Sequence, residues 1–297
     1  MASKLVLIDG NAIMHRAFHA LPALTTRSGE PINAVYGLVS MLLKVIDDLK
    51  PTHLAVCFDE KAPTFRHKAY PDYQIQRPHM ADELSGQFEK AKSVLSAMAI
   101  PFYSQPGYEA DDLLGTIAKQ AADNVVIVTG DRDILQLVSD RVKLYMPVAG
   151  LSNAKLMGVE ETKEKLGVEP CRIVDYKALV GDPSDNYPGV PGIGPKTAII
   201  LLSKFKNLNS IYKNLDEIPK SVADKLKRDK KSAYLSQKLA RIVTNVPIKA
   251  ELEKAAKWQV NSKKLLGLFE EFGFKTLTKR VKDFAKKIDS KKQLVLI

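Results

Sequence analysis

The side chains most able to do chemistry in this sequence are carboxylates that follow short apolar runs. Asp9 ends LVLID, Asp59 ends AVCFD, and Asp131 and Asp133 follow VVIV within TGDRD. Two further groups accompany them: Glu109, Asp111 and Asp112 in YEADD, and Asp182 and Asp185 in GDPSDN. Each has a plain structural reading. Acids in a first helical turn cap it or complement its dipole, an Asp after a strand caps the next helix, and GDPSDN suits an Asx turn. Those readings combine poorly, because so many acids held near one another repel unless cations sit among them. Hard oxygen donors without a His or Cys cluster favour Mg²⁺ or Mn²⁺ over zinc. Two such ions about 4 Å apart can stabilise the attacking and leaving oxygens in phosphodiester hydrolysis.

The elements around these acids explain how they could meet. Lys4–Ile8, His53–Phe58 and Val125–Val128 read as buried strands of a parallel sheet, with Val142–Tyr145 as a further strand. Ala34–Leu49, Gln87–Met98 and Ala110–Ala121 carry helical apolar spacing. Alternating strands and helices imply an α/β fold with a mainly parallel central sheet flanked by helices, PIN-like or resolvase-like. The loops at the carboxyl ends of such strands share one edge, where ligands bind. Between them, Arg66–Lys92 mixes basic, aromatic and proline residues and reads as a long mobile excursion.

Beyond residue 168 the strand signals fade. Pro170–Val180, Pro195–Phe205, Ile218–Lys227, Ala233–Val243 and Lys263–Phe272 read as helices. The expected organisation is an α/β domain at 1–168, an all-helical domain at 169–283 and a loose, lysine-rich tail at 284–297.

Composition bounds the partners. The 297 residues carry 45 Lys and Arg against 34 Asp and Glu, a formal charge of +11. A polyanion is one natural partner for such a chain, and a merely lysine-rich soluble protein is the other reading. No apolar run approaches the length of a membrane span, and MASKLVLIDGN starts a strand and not a signal peptide. The two cysteines, Cys57 and Cys171, form no cluster, which argues against a disulfide framework or a structural zinc site.

GVPGIGPKTA places Gly189, Gly192 and Gly194 ahead of Pro195, followed by Lys196 and Thr197. Proline suits the first helical position, and exposed amides at a helix N-terminus attract anions. A tight turn explains the same residues. No strand precedes the loop, so it is not a dinucleotide fingerprint; it fits a helix-hairpin-helix, which grips the DNA backbone without reading bases.

Taken in order, VLIDGN, AVCFDEKAPTFR, GYEADD, TGDRD, GDPSDNYPGVPGIGPKTA and AYLSQKLARIVTNVPI resemble the flap endonuclease and 5′-3′ exonuclease family. The likeness is strongest to the nuclease region joined to bacterial DNA polymerase I and covers roughly residues 3–283. It implies a structure-specific enzyme of replication and repair, cytoplasmic and nucleoid-associated, acting as a monomer on DNA with a 5′ flap, nick or free 5′ end. RNA primers and the polymerase domains of a parent chain are further implied partners. The family's metal ligands fall on Asp9, Asp59, Glu109, Asp111, Asp112, Asp131, Asp133, Asp182 and Asp185, holding two or more Mg²⁺ or Mn²⁺ ions. Its helical arch falls on residues 66–92, with Arg66 and Arg77 facing the scissile phosphate. A K⁺ ion in the glycine loop is implied as well. The DNA contacts fall on His15, Arg16, Lys68, Gly189, Gly192, Gly194, Lys196 and Thr197.

This sequence departs from that pattern at Gln74, where polymerase-type relatives carry lysine, and at His15, where many carry tyrosine. Histidine can stack on a base as tyrosine does, or simply occupy a helix face beside Arg16. A non-cleaving flap-binding module is the main rival, and would be expected to lack some of the acids. A phosphatase wants a second acid two residues after Asp9, where Asn11 stands, and a PIN-type ribonuclease leaves the hairpin unexplained. Glutamine donates a hydrogen bond without charge, so Gln74→Lys should raise the single-turnover cleavage rate of a flap duplex about ten-fold. An unchanged rate contradicts that role.

Overall fold

The computed structural model describes residues 3–122, 124–149 and 153–294. The chain opens with β1 (Lys4–Asp9), α1 (Gly10–Ala20), α2 (Asn33–Leu49) and β2 (His53–Cys57). Then come α3 (Phe65–Ala69), α4 (Asp82–Ser85), α5 (Gln87–Ala97), β3 (Phe102–Tyr103), α6 (Ala110–Gln120) and β4 (Asn124–Val128). A 3-10 turn at Asp133–Leu137 leads to β5 (Val142–Ala149), β6 (Asn153–Met157) and α7 (Val159–Leu166). The helical part holds α8 (Ile173–Val180), α9 (Pro195–Phe205), α10 (Leu208–Lys213), α11 (Lys220–Arg228) and α12 (Lys230–Ala240). It ends with α13 (Leu252–Ala255), α14 (Lys263–Glu271) and α15 (Lys275–Leu294).

The strands form one sheet in the order β3-β2-β1-β4-β5-β6. The chain winds outward from β1 in one direction through β2 and β3, then returns to β4 on the other side. That reversal opens a crevice at the carboxyl ends of β1 and β4, where ligands of open α/β sheets bind. β1 pairs in parallel with both β2 and β4, with Asp9 opposite Cys57 and Ile8 opposite Val128. Register therefore delivers the ends of three strands to one level. A short β3 and an antiparallel β6 complete the sheet. Neither was expected: β3 is two residues long, and β6, NAKLM, is a largely exposed edge without a buried apolar pattern.

Alternation along the strands sends side chains to two cores. Leu5, Leu7, Val125 and Ile127 join the buried cluster that continues through α6 into α8, α9 and α11. Val6, Ile8, Val126 and Val128 join the opposite one, with α1, α2 and α5. The second core also contains Leu265, Phe269, Phe272, Phe274, Leu277 and Val281. Thus α14 and α15 leave the helical region and pack on α5 and α2, the helices that cover the far face of the sheet, a destination that periodicity alone does not specify. α15 also continues to Leu294, so the loose tail expected from residue 284 is helical to there, and its last three residues lie outside those described. Among the described residues no helix is long and apolar enough to cross a membrane.

The excursion expected at 66–92 is narrower. Arg66 and Tyr73 are buried, whereas residues 75–83 are exposed. Gln87 is 1% exposed; its Oε1 accepts from Ala34 N at 2.8 Å and Val35 N at 3.3 Å. Ile32 gives α2 no side-chain cap, so Gln87 serves its orphan amides from α5. Gln87→Ala should lower stability by about 2 kcal/mol in urea unfolding, since buried N–H groups lose their acceptor. A change below about 0.5 kcal/mol would contradict this capping role.

Candidate active site

Asp9 is the last residue of β1 and the N-cap of α1, where Oδ1 accepts from Ala12 N at 2.9 Å. Its other oxygen accepts from Thr129 Oγ1 at 2.7 Å, which ties β1 to the loop after β4. Gly10 is needed immediately afterwards, because a Cβ there would stand 2.3 Å from the Phe58 ring. Asp59 follows β2; its backbone N–H donates to Asn11 Oδ1, and its Oδ1 accepts from Ala110 N at 2.7 Å. That last bond fixes the first turn of α6, which carries Glu109 as N-cap and Asp111 as its second residue. Asp131 Oδ1 accepts from Asp133 N at 2.8 Å, shaping the turn after β4.

These elements surround a cleft of about 620 Å³ lined by Asp9, Asp59, Glu109, Asp111, Asp131, Asp133 and Asp185. His15, Gln74 and Arg77 line it too. Burial pushes the Asp9 carboxyl up to about 7, against the hydrogen bonds from Ala12 and Thr129. Burial likewise takes Glu109 to about 7, with Asp59 and Asp112 adding to the rise against the pull of Arg66. Asp111 lies well above its usual range through burial and the charges of Asp131 and Asp9. Carboxylates raised in this way are short of positive charge, and their hard oxygens fit divalent metal ions.

Asp133, Asp182 and Asp185 form a second group, each offering an oxygen within 4.8 Å of the others. Lys177 Nζ bridges Asp133 and Asp182, lying 2.6 Å from Asp182 Oδ2. Asp185 accepts from Arg77 at 2.7 Å and from Tyr73 Oη and Gln74 Nε2 at 3.1 Å each. Gln74 takes a left-handed φ of 58°, and its backbone N–H also donates to Asp185 O.

Asp112 lies behind the cleft, and Arg66, which reaches the cleft wall, is turned toward Asp112. Asp112 is 0% exposed, and both of its oxygens are engaged by Arg66 at 2.8 and 2.9 Å. They also accept from Glu109 N and Val243 N. Arg66 in turn donates to the carbonyls of Leu239 and Arg241. This buried bidentate pair fastens α3, α6 and the chain after α12 together, which leaves Asp112 no lone pair for an ion. Arg66 spends its donors on Asp112 and the two carbonyls, with Nη1 also 3.4 Å from Glu109 Oε2 at the cleft wall. Lys68 is exposed and does not line the cleft.

Gly189, expected at a ligand, is buried, with φ at +63°. A Cβ there would meet Gly181 N at 2.3 Å, so glycine serves the closure of the loop. Gly192, Gly194 and Lys196 are exposed around the N-terminus of α9, and Thr197 is half-buried. His15 is half-buried on α1, and its pKa is lowered by burial and by His19. Arg16 Nη1 lies 4.0 Å from the place a Cβ would take on Gly130.

Thr129, Asn11, Tyr73 and Lys177 were not anticipated. Thr129 stands one residue before GD, and Asn11 two after Asp9, but neither residue type announces a site. Lys177 falls within an apolar helix and looks like a solvated surface residue.

The profile of the N-terminal resolvase-like domain of 5′-3′ exonucleases matches residues 4–167, and that of their C-terminal SAM fold matches 168–264. DNA polymerase I of Caldicellulosiruptor bescii is 42% identical over 283 residues, covering 94% of this chain and 33% of that protein. DNA polymerase I of Bacillus subtilis is 39% identical over 282 residues, covering 94% of this chain and 32% of its own. The chain thus spans about a third of the length of these relatives. In fold it resembles T5 5′-exonuclease with zinc bound, at a TM-score of 0.67 and 22% identity, covering 95% of this chain and 98% of the other. It also resembles flap endonuclease-1 from Methanococcus jannaschii, at 0.64 and 20%, covering 98% and 94%.

The fold is that of the 5′ nucleases. The chain belongs to the 5′-3′ exonuclease family and is a hydrolytic nuclease of that family.

The raised carboxyls make a pH prediction. Unfolded, Asp9 and Glu109 titrate near 3.8 and 4.5, and folded near 7, so the fold binds more protons between those values. Stability contributed by these groups is therefore lost as pH rises from about 4 to 7. In EDTA the melting temperature should fall between pH 5 and pH 8, and Mn²⁺ should raise it more at pH 8. A melting temperature in EDTA that does not fall over this range contradicts the shifts.

Proposed function

We propose that the chain cleaves DNA at a 5′ flap, nick or free 5′ end, using two or more Mg²⁺ or Mn²⁺ ions. The observation that carries this reading is the meeting of Asp9, Asp59, Glu109, Asp111 and Asp131 around one cleft, with Arg77 at its side. Those carboxylates would hold the ions. A bound ion supplies charge for the phosphate oxygens and lowers the pKa of water.

The chain's own residues do the rest. Arg77, with a side chain 54% exposed, can turn from Asp185 toward a phosphate; Gln74 adds a neutral donor beside it. The amides about Gly192 and Gly194, with Lys196 and Thr197, suit the backbone of a duplex at the N-terminus of α9. His15 and Arg16 on α1 suit the strand near the cut. A K⁺ ion at this loop would share the Gly192 carbonyl with Lys225, whose Nζ donates to it at 3.0 Å. Hydrolysis would leave a 5′-phosphate and a 3′-hydroxyl. Action on RNA primers, a monomeric state and polymerase domains in a longer parent chain belong to the same proposal, as does work at the nucleoid.

The test is a labelled 5′-flap duplex with Mg²⁺, with EDTA and Asp131→Asn as controls. Cleavage near the flap base is expected, abolished by EDTA and lowered about a hundred-fold or more by the substitution. Tight binding without cleavage in either metal would overturn the reading in favour of a flap-binding module.

A further inference from the structure

The outer carboxylates already hold a cation of the chain's own making. Lys177 projects from the last turn of α8, with its side chain only 14% exposed, and its ammonium lies between Asp133 and Asp182. Asp185 completes that acidic group and is engaged separately by Arg77. A lysine buried between two carboxylates is held firmly in its charged form, since their attraction outweighs the cost of burial.

An independent feature points to a ligand at the same place. Tyr187 sits opposite Asp182, the two exchanging both backbone hydrogen bonds at 2.8 and 3.1 Å. It is 2% exposed, and its hydroxyl is the buried side-chain atom without a hydrogen-bond partner among the described residues. The charges acting on that hydroxyl are those of Lys177, Asp133, Asp182 and Asp185. A buried unsatisfied hydroxyl costs about 1–3 kcal/mol and calls for a partner. Lysine brings three donors and no acceptor, and it spends two of them on the carboxylates. Water bound to an ion is a strong donor, and a tyrosine hydroxyl can accept from it.

We propose that Lys177 is the resident counter-cation of the Asp133–Asp182–Asp185 group, and that a divalent ion enters there by exchange with its ammonium. Water brought in with the ion would offer Tyr187 its missing hydrogen bond. The proposal rests on the reading of this cleft as a metal site. Its consequence is an order of loading: the inner acids take an ion first, and the outer group takes one only by displacing a tethered charge.

The experiment is a Mn²⁺ titration of the full chain, read by calorimetry and by the loss of free Mn²⁺ signal. Asp182→Asn should remove the weaker class of sites; two unchanged classes would show that the outer acids hold no ion, and the proposal would fall with that reading. Lys177→Met keeps the length of the side chain and removes its charge. It should tighten the weaker class at least about ten-fold while leaving the stronger class in place. Unchanged or weaker binding, with Asp182→Asn still removing a class, would overturn the exchange alone. A second readout uses the unaltered chain: the ¹⁵N resonance of the Lys177 ammonium, assigned through Lys177→Arg, should shift with Mg²⁺ in step with the weaker class. A resonance that stays in place at saturating Mg²⁺ would overturn the proposal equally.

Discussion

Carboxylates turned toward one another out of water repel, and the architecture of this molecule is organised around that repulsion. The strands, the first turn of α6 and the loop after α8 all deliver acids to one edge. Where the chain offsets the charge itself, it does so with three cations: Arg66 on Asp112, Lys177 between Asp133 and Asp182, and Arg77 on Asp185. Among the inner acids Asp9 is buried and Asp111 half-buried, and both are held above the usual carboxylate range. A folded chain tolerates such an arrangement because two apolar cores on either side of the sheet hold its backbone rigid.

The same rigidity turns a set of scattered residues into a site. Parallel register sets Asp9 level with the end of β2, and the bond from Ala110 N to Asp59 locks α6 to that level. Thr129 ties the loop after β4 back to Asp9. The clasp of Arg66 and Asp112 then joins the excursion before α4 to the helical region through the carbonyls of Leu239 and Arg241. Substitution at Asp112 is therefore a change in how the parts are held together, whereas substitution at Asp111 changes the charge of the cleft itself.

Much of this was legible in the residues. The apolar runs before Asp9 and Asp59 and within VVIVTGDRD mark strands, and their shared edge follows from parallel topology. Other features were hidden for physical reasons. Asp111 and Asp112 are adjacent acids in one helical turn, and only the position of Arg66 distinguishes a cleft-facing carboxylate from a buried clasp. Gly189 has the composition of a ligand loop, yet its role is a close backbone approach to Gly181. The edge strand β6 is too polar to announce itself. α14 and α15 are amphipathic, and amphipathicity states that a face is buried without stating against what.

The most direct test of this account is anomalous diffraction from crystals grown or soaked with Mn²⁺ near pH 8. It predicts ions among Asp9, Asp59, Glu109, Asp111 and Asp131, with Asp112 still clasped by Arg66 and carrying none. Manganese bound to Asp112, or a cleft whose carboxylates bind no ion at saturating concentration, would contradict it.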